Sequence, residues 1–422
     1  MIKLIFDATV VTNIFKKNSA RSGIFFTAYN MLNALMKRTD VDLCLYISPD
    51  KYVEAKRLKK ELYPNAKFVL DLDRHEYLVK ANNFFWEKHS KFFKHTIYRK
   101  FFALGIVATQ KILSCQATKE YKIDFFQTAD VYFSPVFEIP SIVRKNPRLL
   151  ACAMLYDAIP FIFKDYNIGG ASTLKDLIKS FDAKDFFFFD SCSAQNDFKK
   201  IFPHIFNRKS SIAYLAANKS FEVKKDVQIW NNIKKKYNIP DGKKYVFSLC
   251  TLEPRKNLIR VVKTFVTFCQ KNDLHDIVFV LGGGHWDAFV KTIENEIKDY
   301  SKLIIKAGYV DDEDLPYLYS NAEWFVFTSQ YEGFGLPPLE AMQCGCPVIV
   351  SNTTSLPEVV GDAGILIDWD SDDQHISAYE TYYFNEKIRN EYSKKGLERA
   401  KLFSWEKTVD TILNTMYEMV QK

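Results

Sequence analysis

Short, almost wholly apolar runs recur along the chain, each followed by a polar turn and then by apolar positions at helical spacing. In the first half such runs fall at residues 3–7, 42–47, 67–70, 131–134, 149–155 and 185–190, with a helical pattern over 24–36. Runs that are apolar at every position predict strands buried on both faces, as in a parallel sheet between helical layers. After a polar, lysine-bearing stretch at 219–241 the rhythm restarts and tightens. Strands at 244–249, 276–281, 303–307, 324–328 and 347–351 alternate with helices at 257–272, 289–300, 312–320 and 337–344. The expected class is α/β, with two Rossmann-like doubly wound domains facing a cleft. They are residues 1–220, with a basic and aromatic helical insertion at about 75–120, and residues 221–400, followed by a terminal helix at 401–422. Open sheets of this kind bind ligands beyond the carboxyl ends of their strands.

Composition narrows the class. At roughly 150 residues per domain, 422 residues make two to three domains. A chain that is 47% hydrophobic and 26% charged is globular rather than disordered. Its net charge of +7 is too dilute to imply a nucleic-acid partner. The eight cysteines form no CxxC pair, and Cys344-Gly345-Cys346 is too tightly spaced for a zinc knuckle. They read as small core residues in a reducing compartment. The amino-terminal residues read as a strand rather than a signal peptide. The longest apolar run, 101–108, is about half of what a spanning helix needs. The expected location is cytoplasmic, with peripheral contact at the inner face of a membrane left open.

The most informative stretch is Glu332-Gly333-Phe334-Gly335-Leu336-Pro337-Pro338-Leu339-Glu340, directly after an apolar strand. Two glycines let backbone approach a ligand closely. Two prolines suit the first helical turn, whose free N–H groups and dipole favour an anion such as a diphosphate. The two flanking carboxylates are good acceptors for vicinal hydroxyls of a sugar or a ribose. A phosphate between two polyols describes a nucleotide sugar. Glu253-Pro254-Arg255-Lys256-Asn257 stands at another strand-to-helix turn, where Arg255 and Lys256 could neutralise a departing diphosphate. Ser355-Leu356-Pro357-Glu358 stands at a third.

These motifs, with Gly308-Tyr309-Val310-Asp311 and Gly345-Cys346-Pro347-Val348, resemble the donor domain of glycosyltransferase family 4. That family comprises retaining enzymes of the GT-B fold, and the Glu332/Glu340 pair has its E-x7-E spacing. The resemblance also takes in Leu252 to Leu258 and, more weakly, most of the chain outside about 50–125. It implies that Glu332 lies by the donor hexose, with the backbone of Gly333, Phe334 and Gly335, and that Leu336 and Glu358 belong to the same donor pocket. Glu340 would bind the ribose and Lys256 the diphosphate. Relatives often carry an arginine where this chain has Cys250; Arg255 is the candidate substitute. In the first half, Arg21-Ser22-Gly23-Ile24 resembles the family's phosphate-approaching glycine loop. Leu155-Tyr156-Asp157-Ala158-Ile159-Pro160 resembles a His-Asp-x-x-Pro motif with tyrosine in place of histidine. Tyr156 could hydrogen-bond a sugar, and Asp157 could orient an acceptor hydroxyl. The turn Ser191 to Asp197 is read as structural, and the terminal helix as crossing back onto the first domain.

The implied reaction moves a hexosyl group from a nucleotide diphosphate sugar to a hydroxyl on a glycan, lipid-linked or protein acceptor, with retention, in bacterial surface glycan assembly. Leu336 and Glu358 join Gly23, Tyr156, Gly333, Phe334, Gly335 and Glu340 as substrate-binding candidates, and Glu332, Lys256, Arg255 and Asp157 are the catalytic ones. Rival readings are a non-catalytic nucleotide-sugar-binding subunit and a GT-B epimerase. No cofactor is expected beyond the donor itself. Asp71-Leu72-Asp73 and Asp368-Trp369-Asp370 match an acid-x-acid pattern, but neither follows a nucleotide-loop signature, so no metal is expected. His75, His89 and His95 read as surface residues.

Residues 80–111 stand apart. Lys80, Lys88, Lys91, Lys94, Arg99, Lys100 and Lys111 face Glu87 alone. On a single helix at about 100° per residue, Trp86, Phe93, Ile97 and Leu104 share one face. Lys88, Lys91, His95 and Arg99 share the other, dotted with Phe85, Phe92 and Phe102. Such a helix could cover the first domain with a solvated charged face, meet an anionic membrane or lipid acceptor, or bind a protein.

Overall fold

A computed structural model of the chain describes residues 1–15, 23–91, 96–119, 121–163, 171–207, 209–251, 253–283 and 302–421. The helix expected at 289–300, with Arg21, Ser22, Phe92, Phe93, Lys94, His95, Leu252 and Gly284, lies outside the described residues.

Two all-parallel sheets form, each within one half of the chain. The first contains β1 (Ile2–Asp7), β2 (Val41–Tyr46), β3 (Lys67–Phe68), β4 (Val131–Ser134), β5 (Leu150–Leu155), β6 (Phe186–Phe189) and β7 (Ser210–Ile212). Their order is β3-β2-β1-β4-β5-β6-β7. The second contains β8 (Lys244–Leu249), β9 (Ile277–Gly282), β10 (Ile304–Gly308), β11 (Trp324–Phe327), β12 (Val348–Ser351) and β13 (Ile365–Ile367), ordered β10-β9-β8-β11-β12-β13. The α/β class with two doubly wound domains is thus as expected.

The continuous apolar runs have a direct cause. In β6, Phe187 packs on Phe181 and Phe206 at 4.6 and 4.7 Å between ring centroids, whereas its neighbour Phe188 turns to the other side and meets Phe133 at 5.9 Å. Both faces of the strand are covered, so alternation would have no use. In the second sheet all six residues of β9 are buried. The helix Leu258–Lys271 buries Val261, Val262, Phe265 and Phe268 at helical spacing, with Phe265 5.1 Å from Phe279 of β9.

In each sheet the strand order reverses once, between β1 and β4 and between β8 and β11. A crevice opens at such a point because neighbouring loops leave in opposite directions. The turns after β8 and β11 carry Arg255–Lys256 and Glu332–Gly335, so the two most informative motifs flank one switch point.

The terminal helix Trp405–Val420 is capped by Ser404, whose side chain accepts from the Lys407 N–H. It buries Val409, Ile412, Leu413 and Met416 and packs on the first-domain helix Gly23–Leu35. Arg38 Nη1 donates to Asp410 at 2.6 Å, and Tyr417 Oη donates to the Asp40 carbonyl at 2.6 Å. The chain therefore ends on the domain in which it began.

The insertion departs from the single-helix expectation. It is two helices, Glu76–Lys91 and Thr96–Lys119, packed antiparallel. Asn82 Nδ2 donates to Thr109 Oγ1 at 2.7 Å, and the Phe85 ring lies so close over Gly105 that a Cβ there would fall 2.5 Å from it. The buried stripe is Ile106, Thr109, Leu113 and Ala117. Ile97 and Leu104, expected on a covering face, are 82% and 69% exposed. A 100° count cannot be carried across two helix axes.

Candidate active site

The loop Glu332–Gly335 reaches from the second domain to the first and sets the geometry of the cleft. Ser191 Oγ donates to the Gly333 carbonyl at 2.7 Å, and Tyr331 Oη donates to Asp197 at 2.5 Å. A Cβ on Gly333 would stand 2.8 Å from the Tyr156 carbonyl and 2.9 Å from the Asp157 Cβ. Gly335 holds φ 111° and begins the helix Leu336–Gln343; a Cβ there would meet Leu356 at 2.7 Å. Glycine is required at both positions, at the first for the approach of the two domains and at the second for conformation as well.

Around this loop lies a cavity of about 470 Å³ between the domains. Ten of the twelve candidate residues line it: Gly23, Tyr156, Asp157 and Arg255 with Glu332, Gly333, Phe334, Gly335, Leu336 and Glu340. The amino end of the helix Leu336–Gln343 is part of the wall. Pro337 and Pro338 carry no N–H and the Leu339 N–H donates to the Gly335 carbonyl, so what the helix offers an anion there is its positive dipole end and the Leu336 N–H.

The charged floor is built from three side chains. Lys256 Nζ donates to Glu332 Oε1 at 2.6 Å, and Arg255 Nη1 lies 3.2 Å from the same oxygen. Arg255 is fixed further by Glu253 and by the Tyr331 carbonyl, each at 2.8 Å. Burial would raise the Glu332 carboxyl, but Lys256 and Arg255 outweigh it and hold the group below its usual range. Lys256 is thus engaged with Glu332 and sits behind the cavity wall, while Arg255 lines the cavity itself. Burial pushes the Cys250 thiol up to about 11, so that position offers neither a cation nor a thiolate.

Glu340 lies on the second-domain side, where Tyr319 Oη donates to it at 3.3 Å. Burial raises its carboxyl to about 7. On the first-domain side Asp157 accepts from the Ile159 N–H at 2.9 Å and is also raised by burial. The Tyr156 hydroxyl has no hydrogen-bond partner among the described residues. Beside these stands Asp190, at the end of β6, which the sequence pattern passed over as the close of a phenylalanine strand. It lines the cavity, is 2% exposed, and its Oδ1 has no partner among the described residues. Burial, then Asp157 and Glu358, push it well above the carboxylate range.

Glu358 is used differently from the substrate contact first assigned to it. Its two oxygens accept from the N–H groups of Cys192 and Ser193, both at 2.8 Å, at the start of the helix Cys192–Ile201. A carboxylate there satisfies orphan donors and meets the positive end of the helix, so Glu358 ties the domains together. In the two acid-x-acid motifs, Asp73 pairs with Lys59 at 2.9 Å, Asp71 with Arg74 at 3.0 Å, and Asp368 accepts from Gln374. Of the three histidines, His75 and His89 are half-buried against Tyr52 and Trp86, and His95 lies outside the described residues.

Residues 230–399 match the family model described as glycosyl transferases group 1. The chain is 40% identical over 173 residues to the O-antigen chain mannosyltransferase B of Escherichia coli, a match covering 40% of this chain and 45% of that protein. It is 26% identical over 308 residues to the serotype-specific mannosyltransferase WbdA of Escherichia coli, covering 71% of this chain and 37% of that one. The matched stretch therefore spans less than half of either relative. The fold is similar to that of Anabaena HepE, solved in complex with UDP and glucose, with a TM-score of 0.64 and 13% identity over 99% of this chain and all of that one. Two parallel-sheet domains in this arrangement are the GT-B fold.

Proposed function

We propose that this chain, whose residues 230–399 match the model of glycosyl transferases group 1, is a retaining hexosyltransferase of surface glycan assembly. The observation that carries the reading is the convergence of Glu332, Gly333, Gly335, Glu340 and Arg255 on one cavity closed by Tyr156 and Asp157 from the opposite domain. The donor is a nucleotide diphosphate hexose, and mannose is the sugar favoured by the names of the two relatives. The acceptor is a hydroxyl of a growing glycan, lipid-linked or protein-bound, and the enzyme works from the inner face of the membrane.

In this reading Glu340 accepts hydrogen bonds from the ribose, and the diphosphate lies against the amino end of the helix Leu336–Gln343. Arg255 supplies the cation that Cys250 does not, and Lys256 holds Glu332 ionised beside the hexose. As the anomeric C–O bond breaks, charge develops on the departing diphosphate, where Arg255 and the positive end of the helix dipole stabilise it. The acceptor oxygen attacks from the same face, and its proton passes to the leaving phosphate oxygen. The protein contributes position and charge stabilisation, with no side-chain nucleophile. Domain contacts through Ser191, Asp197 and Glu358 keep water from the donor. No metal is required in this scheme.

Thermal-shift titration with UDP, GDP and dTDP identifies the base, since a ligand stabilises only the state that binds it. Transfer and hydrolysis assays with the matching hexose donors follow, with Glu332→Gln and Arg255→Ala as controls. Activity indifferent to both substitutions would reject the site. Donor turnover to an epimer without an acceptor would reject the reaction.

A further inference from the structure

The insertion helices carry a charge and a surface that the transfer reaction does not use. Residues 76–119 contain eight Lys and Arg against Glu76 and Glu87, a net +6 (8 minus 2) within a chain of net +7. This one hairpin therefore holds nearly all of the molecule's excess charge. Its outward surface is nonetheless apolar. On the helix Thr96–Lys119, Ile97, Phe101, Leu104 and Val107 are all exposed and fall within an arc of about 120°. Lys100 and Lys111 lie inside the same arc. The stripe through Ile106, Leu113 and Ala117 faces the opposite way and is buried. The partner helix adds Tyr77, 90% exposed, and Phe84, with the Lys88 ammonium 5.5 Å above the Phe84 ring. Exposed apolar surface of this extent marks an interaction site.

We infer that this hairpin seats the protein on an anionic phospholipid surface, with Ile97, Phe101, Leu104 and Val107 entering the interface and the lysines reaching the headgroups. Long lysine stems beside apolar side chains suit that boundary, where the stem is buried and the ammonium meets phosphate. A second copy of the chain is the wrong occupant, because two hairpins of net +6 would oppose like charges. Nucleic acid would match the charge but leaves Ile97, Leu104 and Val107 with nothing to gain. The seat is also placed for use. The helix Thr96–Lys119 packs on Pro49–Lys51, just after β2, at the carboxyl-end rim that carries Tyr156 and Asp190. A membrane-borne acceptor would meet the protein at the rim that opens on the cleft, a point that rests on the transferase reading; the seating itself does not.

The test is co-sedimentation of the full chain with vesicles of phosphatidylcholine containing about one third phosphatidylglycerol, against pure phosphatidylcholine. The wild type pellets with the anionic vesicles and stays in solution with the neutral ones. An Ile97→Ser/Leu104→Ser variant and a Lys80→Gln/Lys88→Gln/Lys100→Gln/Lys111→Gln variant each lose about tenfold or more in affinity. All these side chains are outside the buried stripe, so both variants keep the wild-type melting temperature and nucleotide-induced shift. Wild type that ignores anionic vesicles, or variants that bind as it does, would overturn the seat. So would a dimer in gel filtration that the Ile97→Ser/Leu104→Ser change dissolves, since that assigns the face to a second copy. Neither donor nor acceptor enters the measurement, so it can fail while glycosyl transfer stands.

Discussion

Glu332 and Lys256 form the shortest ion pair at the cleft, 2.6 Å between Oε1 and Nζ, and Arg255 shares the same oxygen from 3.2 Å. Each partner is about nine-tenths buried. Glu332→Gln leaves Lys256 without its counter-charge and Arg255 with Glu253 alone, and removing one member of a buried pair costs about 3 kcal/mol. Transfer is expected to fall by about 10²- to 10³-fold. A double-mutant cycle with Lys256→Met should return a coupling of about 1–3 kcal/mol. The carboxyl of Glu332 is depressed in the folded state, so its contribution is present above the ordinary value of 4.5 and lost as pH falls below it. Denaturant midpoints at pH 7 and pH 4 should therefore differ more in the wild type than in Glu332→Gln.

Glu340 has the opposite sign. Its folded-state value of about 7 lies above the ordinary value of 4.5, so between these the folded chain holds a proton that the unfolded chain releases. That group's contribution makes stability fall as pH rises from 4.5 to 7. Donor binding runs the other way, because the ionised carboxylate is the better acceptor for ribose hydroxyls. Nucleotide affinity is expected to rise between pH 6 and 8, and the melting temperature to drift down between pH 4.5 and 7. In Glu340→Gln both slopes should flatten. A steep affinity profile in the variant would separate Glu340 from the ribose.

Asp190 is a buried carboxyl with an unsatisfied oxygen at the cavity wall, beside an unsatisfied Tyr156 hydroxyl. Such groups are costly in the empty protein, at about 1–3 kcal/mol each, and a sugar hydroxyl would satisfy both. Asp190→Ala should stabilise the free protein by about 1 kcal/mol and lower kcat/KM by about 10²-fold. Deoxy sugars lacking the contacted hydroxyl should lose rate with wild type and not with the variant. If Asp190→Ala both destabilises and leaves transfer intact, the residue belongs to the core alone.

The three turns of the second domain could be read from the chain because their chemistry is local. Glycines, prolines and acids at fixed offsets specify a loop whatever surrounds it, and a parallel sheet brings such turns to one rim. Asp190 could not be read that way, since its character comes from Asp157 and Glu358, remote in sequence, and from burial that follows four phenylalanines into the sheet. Glu358 illustrates the converse. Its place at a strand-to-helix turn suggested ligand binding, but the open amino end of the helix Cys192–Ile201 in the other domain takes both its oxygens. The insertion misled for a third reason. Helical period was real in each half, but the outward side of Thr96–Lys119 carries its own apolar row, Ile97, Phe101, Leu104 and Val107, so hydrophobicity alone could not say which side faced the core.

Gly333 stands where a side chain would strike the backbone of the other domain, and it separates closure from binding. Gly333→Ala places a methyl 2.8 Å from the Tyr156 carbonyl, on a backbone that cannot yield without moving β5's exit loop. Each domain keeps its own sheet and core, so the variant should fold with a melting temperature within a few degrees of wild type. The Ser191–Gly333 hydrogen bond and the Glu358 tie would be strained, and the domains should stand further apart in solution. Nucleotide binding, here assigned to Glu340 and the helix Leu336–Gln343 within the second domain, is expected to survive. Transfer is expected to drop by about 10²-fold or more, because a displacement near 1 Å at the reacting atoms forfeits alignment. Small-angle scattering should show a larger radius of gyration for Gly333→Ala, with wild-type nucleotide shifts in the same sample. Wild-type transfer in a folded Gly333→Ala would mean that the contact between these domains has no part in catalysis.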